Sequence, residues 1–315
     1  MPSPGAAALL FASLAALLFG VFPALRLRQP GRRALLGWAI LLAAGGAALW
    51  ASQGWHGWAR LVATWLAAFV GFKALALLGA DPAVTDRLDF WRFWGFAGAW
   101  LGMELGPWTR PAEPRPLPGA GRMVGEGLAM LIGWLALALA LARTPLLPPL
   151  AQAWCVLVAV IIGVFFGASR ALTGAWRALG RDVAPPFDQP VYATSLADWW
   201  GRRWNLAVHA VLNQAIWQPA RRWGVWPATA LVFGASGLLH EYLISYPAGG
   251  GYGLPLLYFA IQALGMRAER TRALRRLLKR SGLARAGWTL GVTLLPGPLL
   301  FHPPLLDALI RPWLG

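Results

Sequence analysis

His240 and Glu241 stand side by side in "SGLLHEYLIS", residues 236–245, a run otherwise as apolar as a membrane helix. An ionisable side chain in hydrocarbon costs roughly 2.5–3.5 kcal/mol on insertion scales, so such residues face a bundle interior or a wet cavity and mark a candidate site. Histidine suits proton transfer near neutral pH, because its ordinary pKa is about 6.5. Helical neighbours point about 100° apart, so the two residues do not share a face. His240 lies with Ser236 one turn earlier, and Glu241 lies with Gly237 and Ser245. Spacing alone is equally served by a packing histidine hydrogen-bonded to a neighbouring helix.

The second concentration of polar residues is "APPFDQPVYATSLADWWGRRWNLAVH", residues 184–209. "PPFDQP" is a rigid, turn-rich lead-in, and Ser195 followed three residues later by Asp198 is a capping pattern that should start a helix. On that helix Asp198, Arg202, Asn205 and His209 recur at spacings that put them on one side, with Trp199 and Arg203 around the other. A polar face on a Trp-rich helix could line a cavity. An interfacial helix, with Arg202 and Arg203 on phosphates and Asp198 paired to an arginine, explains the same spacing more simply.

Other chemistries find no support. The carboxylates form no close intramembrane pair, the four histidines are scattered without an H-x-x-x-H pattern, and "GASGLLH" only resembles a serine-nucleophile elbow. Cys155 is the one cysteine and sits in the apolar run "AWCVLVAVIIGVFFG", so neither a disulfide framework nor a cysteine metal site is expected.

Positioning these residues falls to membrane helices. Of 315 residues 58% are hydrophobic and 13% charged, against about 45–50% apolar in a soluble domain. A span needs about 20 mostly apolar residues. Eight runs qualify, near 5–25, 34–51, 57–79, 124–142, 150–168, 226–246, 252–266 and 286–302. Two more, 88–104 and 206–218, are too short or too polar and read as re-entrant or interfacial. The first run lacks a positive segment before it, so it reads as a span and not as a signal peptide. The expected fold class is an all-α, polytopic membrane bundle of about eight to ten transmembrane or re-entrant helices, forming one domain over 1–315.

The net charge of +16 resides in short connectors, the pattern of the positive-inside rule, and does not call for nucleic acid. Arg26, Arg28, Arg32 and Arg33 follow the first run, and Arg87, Arg92, Arg110, Arg115 and Arg122 the third. Seven arginines lie between 170 and 222, and eight basic residues in "RAERTRALRRLLKRSGLAR", 267–285. The alternate connectors "SQGWHG", "RTPLLPP" and "SYPAGGG" share a single arginine. Basic loops are thus expected in the cytoplasm. Residues 267–285 read either as a basic amphipathic helix on anionic headgroups, with Leu274, Leu277 and Leu278 as its apolar stripe, or as a solvated loop. "GPWTRPAEPRPLPGAGR" should be an extended cytoplasmic loop, and many of the 20 tryptophans fit interfacial belts. The Ala, Gly, Arg and Trp content suggests a GC-rich genome and a bacterial inner membrane.

Taken together, "PPFDQPVYATSLADWWGRRWN" and, 35 residues beyond Asn205, His240 of "SGLLHE" resemble the membrane-bound O-acyltransferase superfamily, specifically its wax-synthase branch. The resemblance covers roughly 170–266 by motif and the rest by hydropathy. It implies acyl transfer from acyl-CoA, a co-substrate, to the hydroxyl of a long-chain alcohol or related lipid, with no bound cofactor and no metal. The histidine of the S-G-x-x-H-E motif, His240, would be the general base, and the asparagine of R-R-W-N, Asn205, its partner. Arg202, Arg203 and Trp204 would meet the CoA or hold the segment at the interface; Ser236 and Glu241 are further substrate-site candidates, Glu241 orienting the site or hydrogen-bonding across helices. An O-acetyltransferase acting on a lipid or natural-product alcohol is the nearest alternative, and a non-catalytic lipid carrier is the rival of another class. His240 lies about 21 Å along its helix from Trp226, whereas Asn205 belongs to a cytoplasmic-side segment. A tunnel open to acyl-CoA and to the bilayer would reconcile the two.

Overall fold

The computed structural model describes residues 4–144 and 147–314, so part of the "RTPLLPP" connector lies outside the described residues. Regular structure among them is helical throughout. The chain divides into two compact units, 1–185 with 313–315, and 186–312.

The first unit holds α1 (Pro4–Ala24), α2 (Pro30–Ala51), α3 (Gly57–Leu78), α4 (Pro82–Thr85), α5 (Phe90–Ala99), α6 (Ala120–Arg143), α7 (Pro149–Ile161) and α8 (Ser169–Ala178). A wide turn at Ile162–Ala168 joins α7 to α8, so the expected span 150–168 continues into a 30-residue run, Pro149–Ala178. That run and α1, α2, α3 and α6 are each long and apolar enough to cross a membrane. Their outer faces expose Leu9, Leu42 and Ile132 by 66–70%, which suits lipid and not water.

Polar groups pin this unit from inside. Arg33, counted above among the loop charges, is 1% exposed. Its guanidinium donates to the carbonyls of Leu78 (3.1 Å), Leu25 (3.0 Å), Leu27 (3.3 Å) and Leu77 (2.9 Å) and to Thr85 Oγ1 (3.1 Å). All five N–H groups are satisfied, so Arg33 ties the end of α3 to the chain leaving α1. Lys73 of α3 donates to the Gly102 carbonyl at 2.7 Å and lies 3.8 Å from the Phe96 ring centre. Helices α6 and α8 touch through glycine, for a Cβ on Gly127 would come 2.3 Å from Ala171 N. The proline-rich stretch expected as an extended loop instead opens with a tight helical turn at Gly106–Trp108 and runs into α6 from Ala120, and its irregular middle is tied down: Glu113 N donates to Gly180 O (2.9 Å) and Leu117 N to Arg177 O (3.0 Å). Not every tryptophan is interfacial, since Trp108 is 1% and Trp199 4% exposed.

The second unit is built of shorter pieces: α9 (Leu196–Asp198), α10 (Leu206–Leu212), α11 (Gln218–Ala220), α12 (Val225–His240), α13 (Tyr246–Ala248), α14 (Leu254–Ala268), α15 (Arg272–Leu278), α16 (Gly282–Leu294), α17 (Gly297–Leu300) and α18 (Pro303–Leu309). The expected span 226–246 is a helical run over 225–248 that widens at Glu241–Ser245. The span expected at 252–266 is α14, 15 residues long and short of the ~20 that cross a bilayer. The one expected at 286–302 starts earlier, at Gly282, and bends by 59° before Pro303. Prolines, which lack an N–H and clash with the preceding turn, account for the breaks at 295–296 and 301–302, next to Pro296 and Pro298 and just before Pro303 and Pro304.

Candidate active site

His240 ends α12, and its Nδ1 lies 2.7 Å from the carbonyl oxygen of Ser236. A carbonyl only accepts, so Nδ1 carries the hydrogen, and in the neutral ring Nε2 keeps its lone pair. The helix then widens at Glu241–Ser245, a geometry common at functional positions. Phe259 of α14 packs on the imidazole, ring centres 4.6 Å apart. Trp200 meets both Phe259 and Phe233 at 5.8 Å, and Trp200 Nε1 donates to Gln262 Oε1 at 3.4 Å. The histidine therefore sits against an aromatic wall built from three separate stretches of chain. Neither Trp200 nor Phe259 stood out in the sequence, where aromatic residues are abundant.

Asn205 opens α10 from the left-handed region, φ 44° and ψ 57°, and its Oδ1 accepts from Val208 N at 3.4 Å. With that oxygen engaged, its amide N–H groups are the free end. The chain reaches this conformation because two flanking groups bond elsewhere: Leu206 N donates to Pro186 O and Asp188 N to Arg203 O, both at 2.8 Å. "PPFDQP" thereby docks on "RRWNL". The polar face expected on one continuous helix is corrected here: α9, a wide turn at Trp199–Arg203 and α10 replace it. No hydrogen bond joins Asn205 to His240 among the described residues.

The capping pattern did form, with Ser195 Oγ accepting from Asp198 N at 3.0 Å. Asp198, 5% exposed, accepts from Thr194 N (3.1 Å) and from Nε of both Arg202 and Arg203 (3.0 Å each). Burial alone would raise the Asp198 carboxyl, but the Thr194 N–H and the two guanidiniums hold it below the usual carboxylate range. The Arg202 side chain remains 76% exposed and can still meet an anion. Trp204 stacks on Trp199 and meets Phe187 edge-on, with ring centres 5.4 Å apart in each case.

Ser236 meets the site through its carbonyl. Glu241 has a mainly architectural position: its Oε1 accepts from Gly253 N (2.9 Å) and Leu256 N (3.1 Å), capping α14 from the wide turn that follows α12. Its Oε2 is buried without a partner among the described residues. A residue passed over in the sequence completes this corner. His302, 0% exposed, accepts from Leu305 N at Nδ1 (3.2 Å), which leaves Nε2–H facing Ser245 Oγ (3.3 Å). The Gly251 backbone, φ 77°, lies directly on that ring, where a Cβ would come within 2.4 Å. The only cue to His302 was a polar residue before Pro303 at the end of an apolar run.

The stretch that carries both motifs, residues 183–261, matches the family model of the membrane bound O-acyl transferase family. That stretch, about a quarter of the chain, is similar to the family. The match agrees with the resemblance drawn from the motifs. A long-chain-alcohol O-fatty-acyltransferase of Simmondsia chinensis is 34% identical over 141 residues, 40% of each chain. In Arabidopsis thaliana, "Probable long-chain-alcohol O-fatty-acyltransferase 9" is 36% identical over 141 residues, 40% of this chain and 41% of that one. Number 3 of the same series is 30% identical over 147 residues, 42% and 43% of the two chains. The aligned part of this chain thus spans less than half the length of these relatives.

Proposed function

We propose that this chain is an integral-membrane O-acyltransferase that moves a fatty acyl group from acyl-CoA to the hydroxyl of a long-chain alcohol or related lipid. The observation that carries the reading is the committed Nδ1–H of His240, which reserves Nε2 as a base against an apolar wall. Nε2 takes the hydroxyl proton as the oxygen attacks the thioester carbonyl. An amide N–H of Asn205 donates to the developing oxyanion. Collapse breaks the C–S bond, and the proton on His240 passes to the departing CoA sulfur, giving ester and free CoA without an acyl-enzyme. Arg202, exposed beside this segment, meets CoA phosphate, while Glu241 and Ser236 hold the histidine's surroundings. A tunnel admits acyl-CoA from the cytoplasm, where the basic connectors lie, and the alcohol from the bilayer. Composition points to a bacterial inner membrane.

The test is to incubate purified protein with acyl-CoAs of graded chain length and a panel of alcohols, following free CoA and ester by mass spectrometry. His240→Ala should lower both by at least ~100-fold, the scale of general-base catalysis. Equal CoA release by the variant would refute the assignment. Acetyl esters alone would favour an O-acetyltransferase, and alcohol binding without any CoA release would favour a carrier.

A further inference from the structure

Residues 267–285 carry eight basic side chains and one acid, Glu269. The acid is already engaged, its Oε1 accepting from Leu196 N (2.8 Å) and Trp288 Nε1 (3.0 Å). None of the eight cations forms an ion pair among the described residues. Within the segment, α15 is capped by Thr271, whose Oγ1 accepts from Leu274 N, and α16 is capped by Ser281, whose Oγ accepts from Ala284 N. At about 100° per residue, Arg272, Arg275 and Arg276 fall within one arc of about 100°, while Ala273, Leu274, Leu277 and Leu278 fill the opposite side. The leucine side is not buried by the protein, for Leu277 is 50% exposed, Leu274 and Leu278 are half-buried, and Leu283 at the start of α16 is 84% exposed.

We propose that α15 lies in the plane of an anionic phospholipid surface, with its arginines on headgroup phosphates and its leucines among the acyl chains. Charge complementarity selects an anionic partner, and the exposed leucines select a lipid one. A soluble polyanion such as CoA satisfies the arginines but leaves the leucines in water. The neighbours agree, because Leu264 of α14 and Leu294 and Leu295 at the end of α16 are 58–81% exposed apolar side chains. Both flanking helices therefore present lipid-facing surface, and the segment joins them at a membrane boundary.

The full chain, with Cys155→Ala, would carry Leu277→Cys or Arg275→Cys, each spin-labelled and reconstituted in phosphatidylcholine with or without phosphatidylglycerol. In anionic lipid the label at position 277 should be open to oxygen and shielded from a water-soluble relaxant, with the label at 275 showing the reverse. High salt, which screens surface charge, should shift the 277 label toward water without changing the sequence. Combined Arg272→Gln, Arg275→Gln and Arg276→Gln substitutions, with the 277 label in place, should have the same effect at low salt. Equal water exposure at both positions in anionic lipid would overturn the proposal in favour of a solvated loop. Shielding at 277 that needs added CoA and ignores lipid charge would assign the surface to CoA. Both readouts are independent of catalysis.

Discussion

Replacing Glu241 separates a chemical role from an architectural one, because its two hydrogen bonds run to the first turn of α14 and not to the imidazole. Glu241→Ala leaves the Gly253 and Leu256 N–H groups unpaired. Loss of a capping side chain costs ~0.5–2 kcal/mol, and hydrogen bonds to a charged acceptor are worth ~1.5–3 kcal/mol. A destabilisation of about 2 kcal/mol is therefore expected. Glu241→Gln keeps an acceptor oxygen and gives up only the charge, so about 1 kcal/mol or less is expected. Activity should follow stability, because α14 also carries Phe259, whose ring packs 4.6 Å from that of His240. Thermal inactivation of detergent-solubilised protein, read beside CoA release at low temperature, distinguishes the cases. The alanine variant should be the most heat-labile, the glutamine variant intermediate, and both should retain turnover in the cold. An alanine variant of unchanged stability and no turnover would refute the capping argument and make the carboxylate part of the chemistry.

Three further outcomes are expected. Asn205 occupies a left-handed conformation, which Gly adopts freely and Ala at a cost of ~1–2 kcal/mol. Asn205→Gly should therefore fold better than Asn205→Ala while both lose ~100-fold or more in CoA release; an active glycine variant would remove the amide from the mechanism. Gly127→Ala would drive its Cβ into the Ala171 backbone at 2.3 Å, so a loss of ~1–3 kcal/mol should appear as lower thermal stability, and an unchanged melting profile would contradict the tight α6–α8 contact. The Asp198 carboxyl is held below its ordinary range, so its ion pairs stabilise the fold above the unfolded carboxylate pKa and are lost as pH falls through the folded one. Acid inactivation of the parent should exceed that of Asp198→Asn in this low-pH window, and identical acid profiles would show that the pairs contribute nothing.

The features legible in the sequence were those set by neighbours a few residues apart. The Ser195 cap forms within three positions, and the long apolar helices of the first unit need only enough consecutive hydrophobic residues to satisfy their own backbone in lipid. His240 stood out for a similar reason, as a polar group where hydrocarbon makes polarity expensive. Where backbone groups found distant partners, local pattern failed. The helix expected through 195–209 breaks at Asn205 because Pro186 and Asp188 take the bonds that would continue it.

The sequence by itself determined that the chain is a helical membrane protein and which two motifs bear its ionisable and polar groups, since hydropathy and short spacing are properties of adjacent residues. Only the tertiary structure decided what each group does. Arg33 became a buried clamp on four carbonyls, Glu241 the cap of a neighbouring helix, and His302 the support beneath Gly251. The reserved lone pair of His240 depends on a carbonyl one turn away, and its aromatic wall on side chains 19 and 40 positions distant in the sequence. A hydrogen-bonding group takes its role from the partner that desolvation forces it to find, and for these residues the fold chose that partner.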